Sequence, residues 1–318
     1  MKTVVHEIPQ ELAGERVDRA LATLEPGLTR SHANRLAKDG HVFLDGQAVK
    51  PSATVRAGQT LRSEIPPEPL ASAAPEDIQL DILYEDEYVL VVNKPVGLVV
   101  HPAPGHYDGT LVNALLHHAP ELAQMNMEGR PGIVHRLDKG TSGVMVVAKT
   151  SAALTQLQKQ FAGRTVTKKY LAIVIGRPKD REGRIEMAIG RHVRDRKRIS
   201  SVTTRGRAAT TLYKVEASGG GLSVLSCTLL SGRTHQIRVH CAESGWPLVG
   251  DETYGGVRPL SRLPDPELRA ACRVLGHPAL HARLLAFAHP ITEQPLSFEA
   301  PLPADLQNLL RLIENSHE

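Results

Sequence analysis

Aromatic residues are scarce in this chain of 318 residues, at only 3% of the total. With four Phe, six Tyr and one Trp, a core must be built mainly from Leu, Val, Ile and Ala. Long apolar runs are missing as well, and none approaches the roughly 20 residues that span a bilayer. The N-terminal sequence MKTVVHE has no apolar stretch of the secretory type. A cytoplasmic location is therefore expected.

Cysteine is also rare. Cys227, Cys241 and Cys272 are odd in number and widely spaced, which fits neither a disulfide framework nor a CxxC metal pair. The chain has no HExxH zinc motif, no GxSxG elbow of serine hydrolases and no complete phosphate-binding loop. We therefore expect no metal and no nucleotide cofactor.

Positive charge is concentrated in one segment, although the net charge is only +4. Residues 160–210 contain 14 Lys and Arg against 4 Asp and Glu. Such a local excess is typical of a surface that binds a polyanion. A solvated charged surface is the alternative.

Residues 66–76 are rich in Pro and small side chains and have no periodicity, which predicts a semi-extended linker. This linker divides the chain into an N-terminal module, residues 1–65, and a larger body, residues 77–318. The length of the chain also suits two domains.

Two helices and a small hairpin sheet are predicted in the N-terminal module. Apolar residues at helical spacing indicate a first helix over residues 16–24. Thr29 or Ser31 can cap a second helix, which Gly40 can end in the left-handed conformation. The pair Asp45-Gly46 is a strong hairpin signal. Short strands are predicted at residues 41–44, 47–49 and 61–65.

This module resembles the S4 RNA-binding domain. The matching segments are RVDRALA at residues 16–22, TRSHANRL at residues 29–36 and GHV at residues 40–42. In that family the second helix presents basic residues to RNA, which implies RNA contacts for Arg30, Arg35 and Lys38. From the residues alone, a generic αβ adaptor is an alternative.

The body is predicted to be α+β, with a mostly antiparallel sheet, because strands adjacent in sequence are joined by turns. Helices are predicted at residues 110–119 and 152–161, the second capped by Thr150 or Ser151. The predicted strands are residues 82–84, 89–93, 144–148, 170–175, 211–217 and 222–230.

The most distinctive segment of the body is IVHRLDKGTSGV at residues 133–144. An apolar strand is expected to lead into a polar loop, and a second strand to follow it. Loops braced by strands are favoured positions for catalytic groups. Asp138 is the only acid in this loop. The pattern alone, however, favours a turn aspartate that accepts backbone hydrogen bonds.

Two further segments contain candidate site residues. GRTHQIRVH at residues 232–240 is expected to open a helix that extends to about Glu243, with Arg233 at its mouth and able to reach a carboxylate. A basic surface helix is the alternative. In the second segment, Tyr170 follows two lysines, Lys168 and Lys169, which suits stacking on a base, although such a Tyr is also common in cores.

In their order and spacing, these segments resemble the RluA-type pseudouridine synthases. HRLD at residues 135–138 matches the motif around the catalytic aspartate of that family. The other matching segments are residues 92–95, 97–102, 169–172, 232–240, 248–251 and 254–256, with His281-Ala282. The resemblance covers nearly the whole chain from about Asp77.

The resemblance implies a catalytic role for Asp138, whether by attack on C1′, by addition to the base or by removal of a ribose proton. It implies that Arg233 forms an ion pair with Asp138 and that Tyr170 stacks on the flipped base. Arg136 is implied to enter the RNA and fill the vacated space. The reaction rearranges a base and needs no cofactor.

The S4-like module and the motif set together most resemble the RluD-like branch, which modifies large-subunit ribosomal RNA. The expected function is pseudouridine formation in that RNA by a monomer. A synthase acting on transfer RNA and a non-catalytic RNA-binding factor in ribosome assembly are the alternatives.

Overall fold

The structure of the protein, a computed structural model, describes residues 2–25, 28, 30–65, 73–102, 106–125, 130–193, 195 and 198–316. The chain divides into two compact units, Met1–Ser72 and Ala73–Glu318, called here the N-terminal and C-terminal units. Most of the predicted linker, residues 66–72, lies outside the described residues.

The N-terminal unit combines two helices with a four-stranded sheet in the order β1-β4-β2-β3. Its elements are β1 (Lys2–Glu7), a 3-10 turn (Gln10–Leu12), α1 (Val17–Leu24), α2 (Arg30–Lys38), β2 (Val42–Leu44), β3 (Gln47–Ala48) and β4 (Thr60–Ile65). Strand β1, which we did not predict from the sequence, pairs antiparallel with β4. It completes the sheet beside the predicted hairpin.

Backbone conformation explains the two sharp reversals in this unit. Asp45 and Gly46 both have positive φ, 48° and 82°, as a two-residue hairpin turn of type I′ requires. Gly40 has φ 82° shortly after the end of α2, as predicted. Helix α2 begins at Arg30, so Ser31 lies inside it, and Thr29 lies outside the described residues.

The C-terminal unit contains five helices and ten strands among the described residues. The helices are α3 (Leu111–His118), α4 (Ser151–Gly163), α5 (Gln236–Glu243), α6 (Pro266–Val274) and α7 (Ala304–Asn315). The strands are β5 (Ile82–Glu85), β6 (Val89–Lys94), β7 (Ser142–Ala148), β8 (Thr167–Ile175), β9 (Glu182–Arg191), β10 (Ile199–Ser200), β11 (Arg207–Gly219), β12 (Leu222–Leu229), β13 (Leu280–Ala288) and β14 (Pro295–Glu299).

All ten strands belong to one sheet, in the order β10-β9-β11-β12-β8-β13-β7-β6-β5, with β14 paired to β13. Every strand pair is antiparallel except β7 with β13. The α+β class and the mostly antiparallel sheet are therefore confirmed. Thr150 caps α4 by accepting a hydrogen bond from the N–H of Ala153.

Both faces of the sheet centre are covered, which explains why β8 is a continuous apolar run rather than an alternating one. Leu171 and Ile173 pack in one core cluster with residues of α6 and α7. Ala172 and Val174 pack in another with Ile237 and Cys241 of α5. Because side chains alternate along a strand, Lys168 and Tyr170 lie on the α5 face, and Lys169 lies on the opposite face.

One local prediction near the site is wrong. The segment before Asp138 is not a strand, since its only ladder contact is an isolated bridge between Ile133 and Val147. Helix α5 begins at Gln236, three residues after Arg233, and ends at Glu243, as predicted. None of the helices in the described ranges is both long and apolar enough to cross a membrane.

Candidate active site

Asp138 lies in a loop that neighbouring backbone holds from three directions. The N–H of Thr141 donates to the carbonyl of Asp138 at 3.0 Å and closes a turn. The N–H of Gly97 donates to the carbonyl of Lys139 at 2.8 Å. At Gly143, with φ 115°, a Cβ atom would lie 2.2 Å from the carbonyl oxygen of Ala282. Only glycine permits this close approach of β7 to β13, which fixes where the loop ends.

The carboxylate of Asp138 is oriented by Arg238 of α5. Nη1 of Arg238 lies 3.4 Å from Oδ2 of Asp138. The other guanidinium nitrogens donate to Asp251, Nε to Oδ2 at 2.7 Å and Nη2 to Oδ1 at 2.9 Å. Asp251 is fully buried, and the carboxylates raise the pKa of Arg238 against the opposing effect of burial. A bidentate pair of this kind fixes the guanidinium plane and therefore the direction of Nη1.

His235 provides a second neighbour of the same carboxylate oxygen. Its Nε2 lies 3.7 Å from Oδ2 of Asp138, and its Nδ1 lies 2.9 Å from the hydroxyl of Tyr254. Burial lowers the pKa of His235 despite the opposing charge of Asp138, which favours the neutral ring. Both neighbours are at Oδ2, and Oδ1 has no hydrogen-bonding or ionic partner within the described ranges.

The predicted ion pair between Arg233 and Asp138 is replaced by the pair of Arg238 and Asp138. Arg233 precedes α5, in a loop whose conformation depends on Gln236. Oε1 of Gln236 accepts hydrogen bonds from the N–H of Arg233 at 3.1 Å and from the hydroxyl of Ser231 at 2.8 Å. Arg233 lines the same cavity as Asp138 without an ion pair to it, and its buried Nε has no hydrogen-bond partner among the described residues.

Tyr170 lies beside Asp138, as predicted. Burial, with a smaller contribution from the charge of Asp138, raises the pKa of Tyr170 far above its usual value. The phenol therefore stays protonated at neutral pH and can donate a hydrogen bond, while phenolate chemistry is unavailable. Its ring is half-buried and remains accessible from the cavity at the site.

A cavity of about 470 Å³ opens beside Asp138, called here the Asp138 cavity. Its lining residues are Val134, His135, Arg136, Asp138, Phe161, Ala162, Arg164, Lys168, Tyr170, Leu229, Ser231, Gly232, Arg233 and Thr234. The structure thus brings together the predicted site residues Asp138, Tyr170, Arg233, Arg136 and Lys168. Lys169 instead lines a separate polar cavity with Glu216 and Glu299.

The other predicted RNA contacts belong to the N-terminal unit. Arg30, Arg35 and Lys38 are exposed on α2, whereas Ala33, Leu36 and Ala37 of the same helix are buried. In this helix the apolar face packs and the basic residues face solvent. Arg30 also lies 3.5 Å from the buried carboxylate of Asp18.

Lys94 is a buried cation near Asp138 that we did not assign to the site from the sequence. Its Nζ donates to the carbonyls of Pro95 at 2.7 Å and Leu98 at 2.9 Å, and its side chain is fully buried. Burial lowers the pKa of Lys94 to about 8, although the charge of Asp138 acts in the opposite direction. Lys94 thus braces residues 95–98, the segment whose Gly97 donates a hydrogen bond to the loop that contains Asp138.

Arg238 and Asp251 both fall within segments that the family resemblance covers, but their roles were missed. Nothing in the local pattern distinguishes Arg233 from Arg238 as the partner of Asp138. The structure distinguishes them, because Arg238 lies inside α5 where its guanidinium contacts both Asp251 and Asp138. In the described part of the chain, no group of three or more His, Cys, Asp or Glu is arranged to hold a metal ion.

Comparisons with known proteins agree with both units. The RNA pseudouridylate synthase family matches residues 88–243, and the S4 domain family matches residues 15–61. The chain is 45% identical over 303 residues to the ribosomal large subunit pseudouridine synthase D of Xanthomonas campestris pv. campestris, covering 95% of this chain and 90% of that protein. It is 43% identical over 312 residues to the protein of the same name from Pseudomonas aeruginosa, covering 98% and 96%.

A solved structure is also similar. Human RNA pseudouridylate synthase domain containing 4 shares 27% identity with a TM-score of 0.56, covering 73% of this chain and 92% of that chain. The S4 resemblance and the resemblance to pseudouridine synthases are therefore confirmed. The chain belongs to the RNA pseudouridylate synthase family and has an S4 domain in its N-terminal unit.

Proposed function

We propose that the protein isomerises specific uridines of large-subunit ribosomal RNA to pseudouridine, with Asp138 as the essential residue. One observation carries the assignment of Asp138. It is the one acidic residue among those that line the Asp138 cavity, and its Oδ2 is held while its Oδ1 is unoccupied by protein. Binding RNA does not require a carboxylate in a basic cavity, whereas chemistry at the ribose or the base does.

The reaction breaks the bond from C1′ of the ribose to N1 of uracil and forms a new bond from C1′ to C5. The proton at C5 is lost, and N1 gains a proton. In our proposal Oδ1 of Asp138 is the atom that acts on the substrate, because Arg238 and His235 both lie against Oδ2. Arg238 is a positioning residue in this scheme, since it acts through Asp138.

Tyr170 and Arg136 are proposed to stabilise the flipped state, Tyr170 at the base and Arg136 in the RNA. Taking a base out of the stack costs a few kcal/mol and requires contacts that replace the lost stacking. The half-buried ring of Tyr170 lies beside Asp138 and can stack on the uracil. Arg136 is exposed, two positions before Asp138, where it can enter the RNA.

Affinity for RNA is proposed to come from cations of both units. Arg30, Arg35 and Lys38 of α2 would contact the RNA backbone, together with Lys169 of β8 and, inside the Asp138 cavity, Lys168. Backbone contacts of this kind make binding fall steeply with salt concentration. We further propose that the protein works in the cytoplasm as a monomer.

The substrate proposal rests on the relatives named ribosomal large subunit pseudouridine synthase D. It is tested with unmodified transcripts of large-subunit rRNA, small-subunit rRNA and transfer RNA, each tritiated at uracil C5. We expect tritium release from the large-subunit transcript alone, with a plateau at a small whole number of equivalents. Release from transfer RNA alone would assign a different substrate, and release from no RNA would leave a binding factor without this activity.

A further inference from the structure

The Asp138 cavity contains more positive charge than the orientation of Asp138 requires. Four cationic residues line it: Arg136, Arg164, Lys168 and Arg233. They come from three separate parts of the chain. These are the loop that contains Asp138, the end of α4 with the start of β8, and the loop before α5. Arg238, the cation that pairs with Asp138, is not among these lining residues.

None of these four cations has a carboxylate partner within the residues that the structure describes. Lys168 is the most informative, because its side chain is only 9% exposed. Its one cation–π contact places Nζ 5.7 Å from the centre of the Phe161 ring. Burial, with the nearby charge of Arg164, lowers the pKa of Lys168. A buried ammonium without a counter-ion is unfavourable, and a bound anion would relieve that cost.

Arg233, elsewhere in the lining of the Asp138 cavity, also has a polar group without a partner. Its Nε is buried and has no hydrogen-bond partner. The backbone around it is nevertheless fixed, because Gln236 accepts from the N–H of Arg233 and donates through Nε2 to the carbonyl of Thr210 at 2.9 Å and the hydroxyl of Thr211 at 3.0 Å. A donor that is held in place and has no acceptor is typical of an anion site that is preorganised for its ligand.

Arg164 is held in an uncommon conformation at the third point. It follows α4 with φ 60°, in the left-handed region where helices usually place glycine. Its N–H donates back to the carbonyls of Gln160 and Phe161, which fixes the backbone at the rim. An arginine thus occupies a position where glycine would be less strained, and its side chain lines the cavity.

We propose that the Asp138 cavity contains a phosphate subsite, formed by Lys168, Arg164 and Arg233, that binds the phosphodiester next to the target uridine. The inference rests on the proposed function, because it takes RNA as the ligand. A flipped nucleotide carries its own phosphates toward the pocket, and guanidinium forks match the phosphate group in shape and charge. The subsite would fix the ribose against Oδ1 of Asp138 through the backbone of the substrate.

The test combines protein variants with a modified RNA. After the target uridine is mapped, a stem-loop containing it is made with 5-tritiated uridine, and two further RNAs carry one neutral methylphosphonate on the 5′ or the 3′ side of that uridine. Lys168→Met and Arg164→Gln are compared with the wild type. The matched control is Lys159→Met, because Lys159 is exposed on α4 and does not line the cavity.

We expect Lys168→Met and Arg164→Gln each to raise KM about tenfold while kcat changes less than about threefold, since the contact exists before and during the reaction. The salt slope of log(kcat/KM) should decrease by about 0.7 to 0.9 in each variant. For the wild type, one of the two methylphosphonate RNAs should raise KM by a similar factor relative to native RNA. For Lys168→Met, the same RNA should raise KM little further. Lys159→Met should behave like the wild type throughout.

The inference is overturned if neither methylphosphonate RNA changes the KM of the wild type. It is also overturned if the effect of the methylphosphonate on KM is as large in Lys168→Met and Arg164→Gln as in the wild type. It is also overturned if Lys168→Met and Lys159→Met are indistinguishable on native RNA. Failure of the proposed function gives a different result, because the wild type would then release no tritium from any rRNA.

Discussion

Arg238 and Asp138 are one hundred positions apart in the sequence, and their side chains meet with Nη1 3.4 Å from Oδ2. The contact exists because Arg238 is fixed from behind by the buried carboxylate of Asp251. Loss of the arginine would leave Asp251 as a buried charge without a cation and Asp138 with only His235 beside its Oδ2. Stability and the proposed orientation of Asp138 for the reaction therefore depend on the same guanidinium.

We predict that Arg238→Gln destabilises the protein by about 3–5 kcal/mol, the usual cost of breaking a buried pair. Arg238→Lys keeps the charge but cannot bond both carboxylates in the same plane, so kcat should fall at least about tenfold with a smaller loss of stability. Arg233→Lys should change KM more than kcat. Urea unfolding and steady-state tritium release measure these effects, and the reverse assignment of the two arginines would contradict the account.

Replacements of Tyr170 should distinguish the contribution of its ring from that of its hydroxyl. Tyr170→Phe keeps the stacking surface, so we expect RNA affinity near that of the wild type and a lower kcat, by about 10- to 100-fold if the phenol assists a proton transfer. Tyr170→Leu should weaken binding of the flipped base as well, by about 1–3 kcal/mol. Because the pKa of Tyr170 is raised, the wild-type pH–rate profile should show no ionisation of this phenol below about pH 10.

Two histidines, the buried His101 and the half-buried His135, make the C-terminal unit sensitive to acid. Burial lowers the pKa of His135 to about 3 and that of His101 to about 4. Nε2 of His135 accepts the N–H of Val146 at 3.1 Å, and protonation would remove that acceptor. As pH falls below about 6.5, only the unfolded state takes up these protons. Stability should therefore decrease with acidification, by up to about 1.4 kcal/mol per pH unit for each ring.

The measurement is the free energy of unfolding in urea between pH 7 and pH 4.5. His135→Gln retains an acceptor near Val146 and cannot titrate, so its stability should depend less on pH than that of the wild type. The comparison uses the slope of the free energy of unfolding against pH. The lost contact with Phe161 lowers that free energy by the same amount at every pH and does not change the slope. Equal slopes in the two proteins would contradict a His135 that stays neutral in the folded protein.

Asp18 makes the N-terminal unit sensitive to acid in the same direction, but at lower pH. Its carboxylate is buried and accepts two hydrogen bonds from Arg16, both at 3.0 Å, and one from Asn34 at 3.2 Å. The hydrogen bond from Arg16 is the main reason why the pKa of Asp18 falls to about 2. A carboxylate with a lowered pKa stabilises the fold above about pH 4 and loses that effect as pH falls through 2.

Amide hydrogen exchange of α1 and α2 in the full chain reports this effect directly. At pH 6, Asp18→Asn should lower protection in these helices by about 2 kcal/mol. Amides of the C-terminal unit provide the internal control and should not change. Unchanged protection in α1 and α2 would show that the Arg16 pair contributes nothing to stability.

Most of the fold follows from local signals in the sequence. The helices of the N-terminal unit, the turn at Asp45-Gly46 and strands β8, β11 and β12 are indicated by periodicity and turn residues. Strand β1 was missed because its partner, β4, lies more than fifty positions away. Strands β9, β10, β13 and β14 and helices α6 and α7 were also missed, because their stability comes from packing on the rest of the sheet rather than from a strong local pattern.

The site was predicted in composition but only partly in geometry. The resemblance selected Asp138 and Tyr170, and the structure brings them together in one cavity. The choice between Arg233 and Arg238 depends on where α5 begins, and helix boundaries are the part of a sequence-based prediction that tertiary contacts shift most readily. Here Gln236 fixes the preceding loop by its own hydrogen bonds and thereby makes itself the first residue of the helix.

The most direct test of the account compares the wild type with Asp138→Asn on large-subunit rRNA tritiated at uracil C5. C5 loses its hydrogen only when the new carbon–carbon bond forms, so release reports the reaction itself. The account predicts release by the wild type, none by Asp138→Asn, and salt-sensitive RNA binding by both within about threefold. Equal release by the two proteins, or parallel loss of binding in the variant, would contradict the central claim that Asp138 acts in the reaction and not in binding.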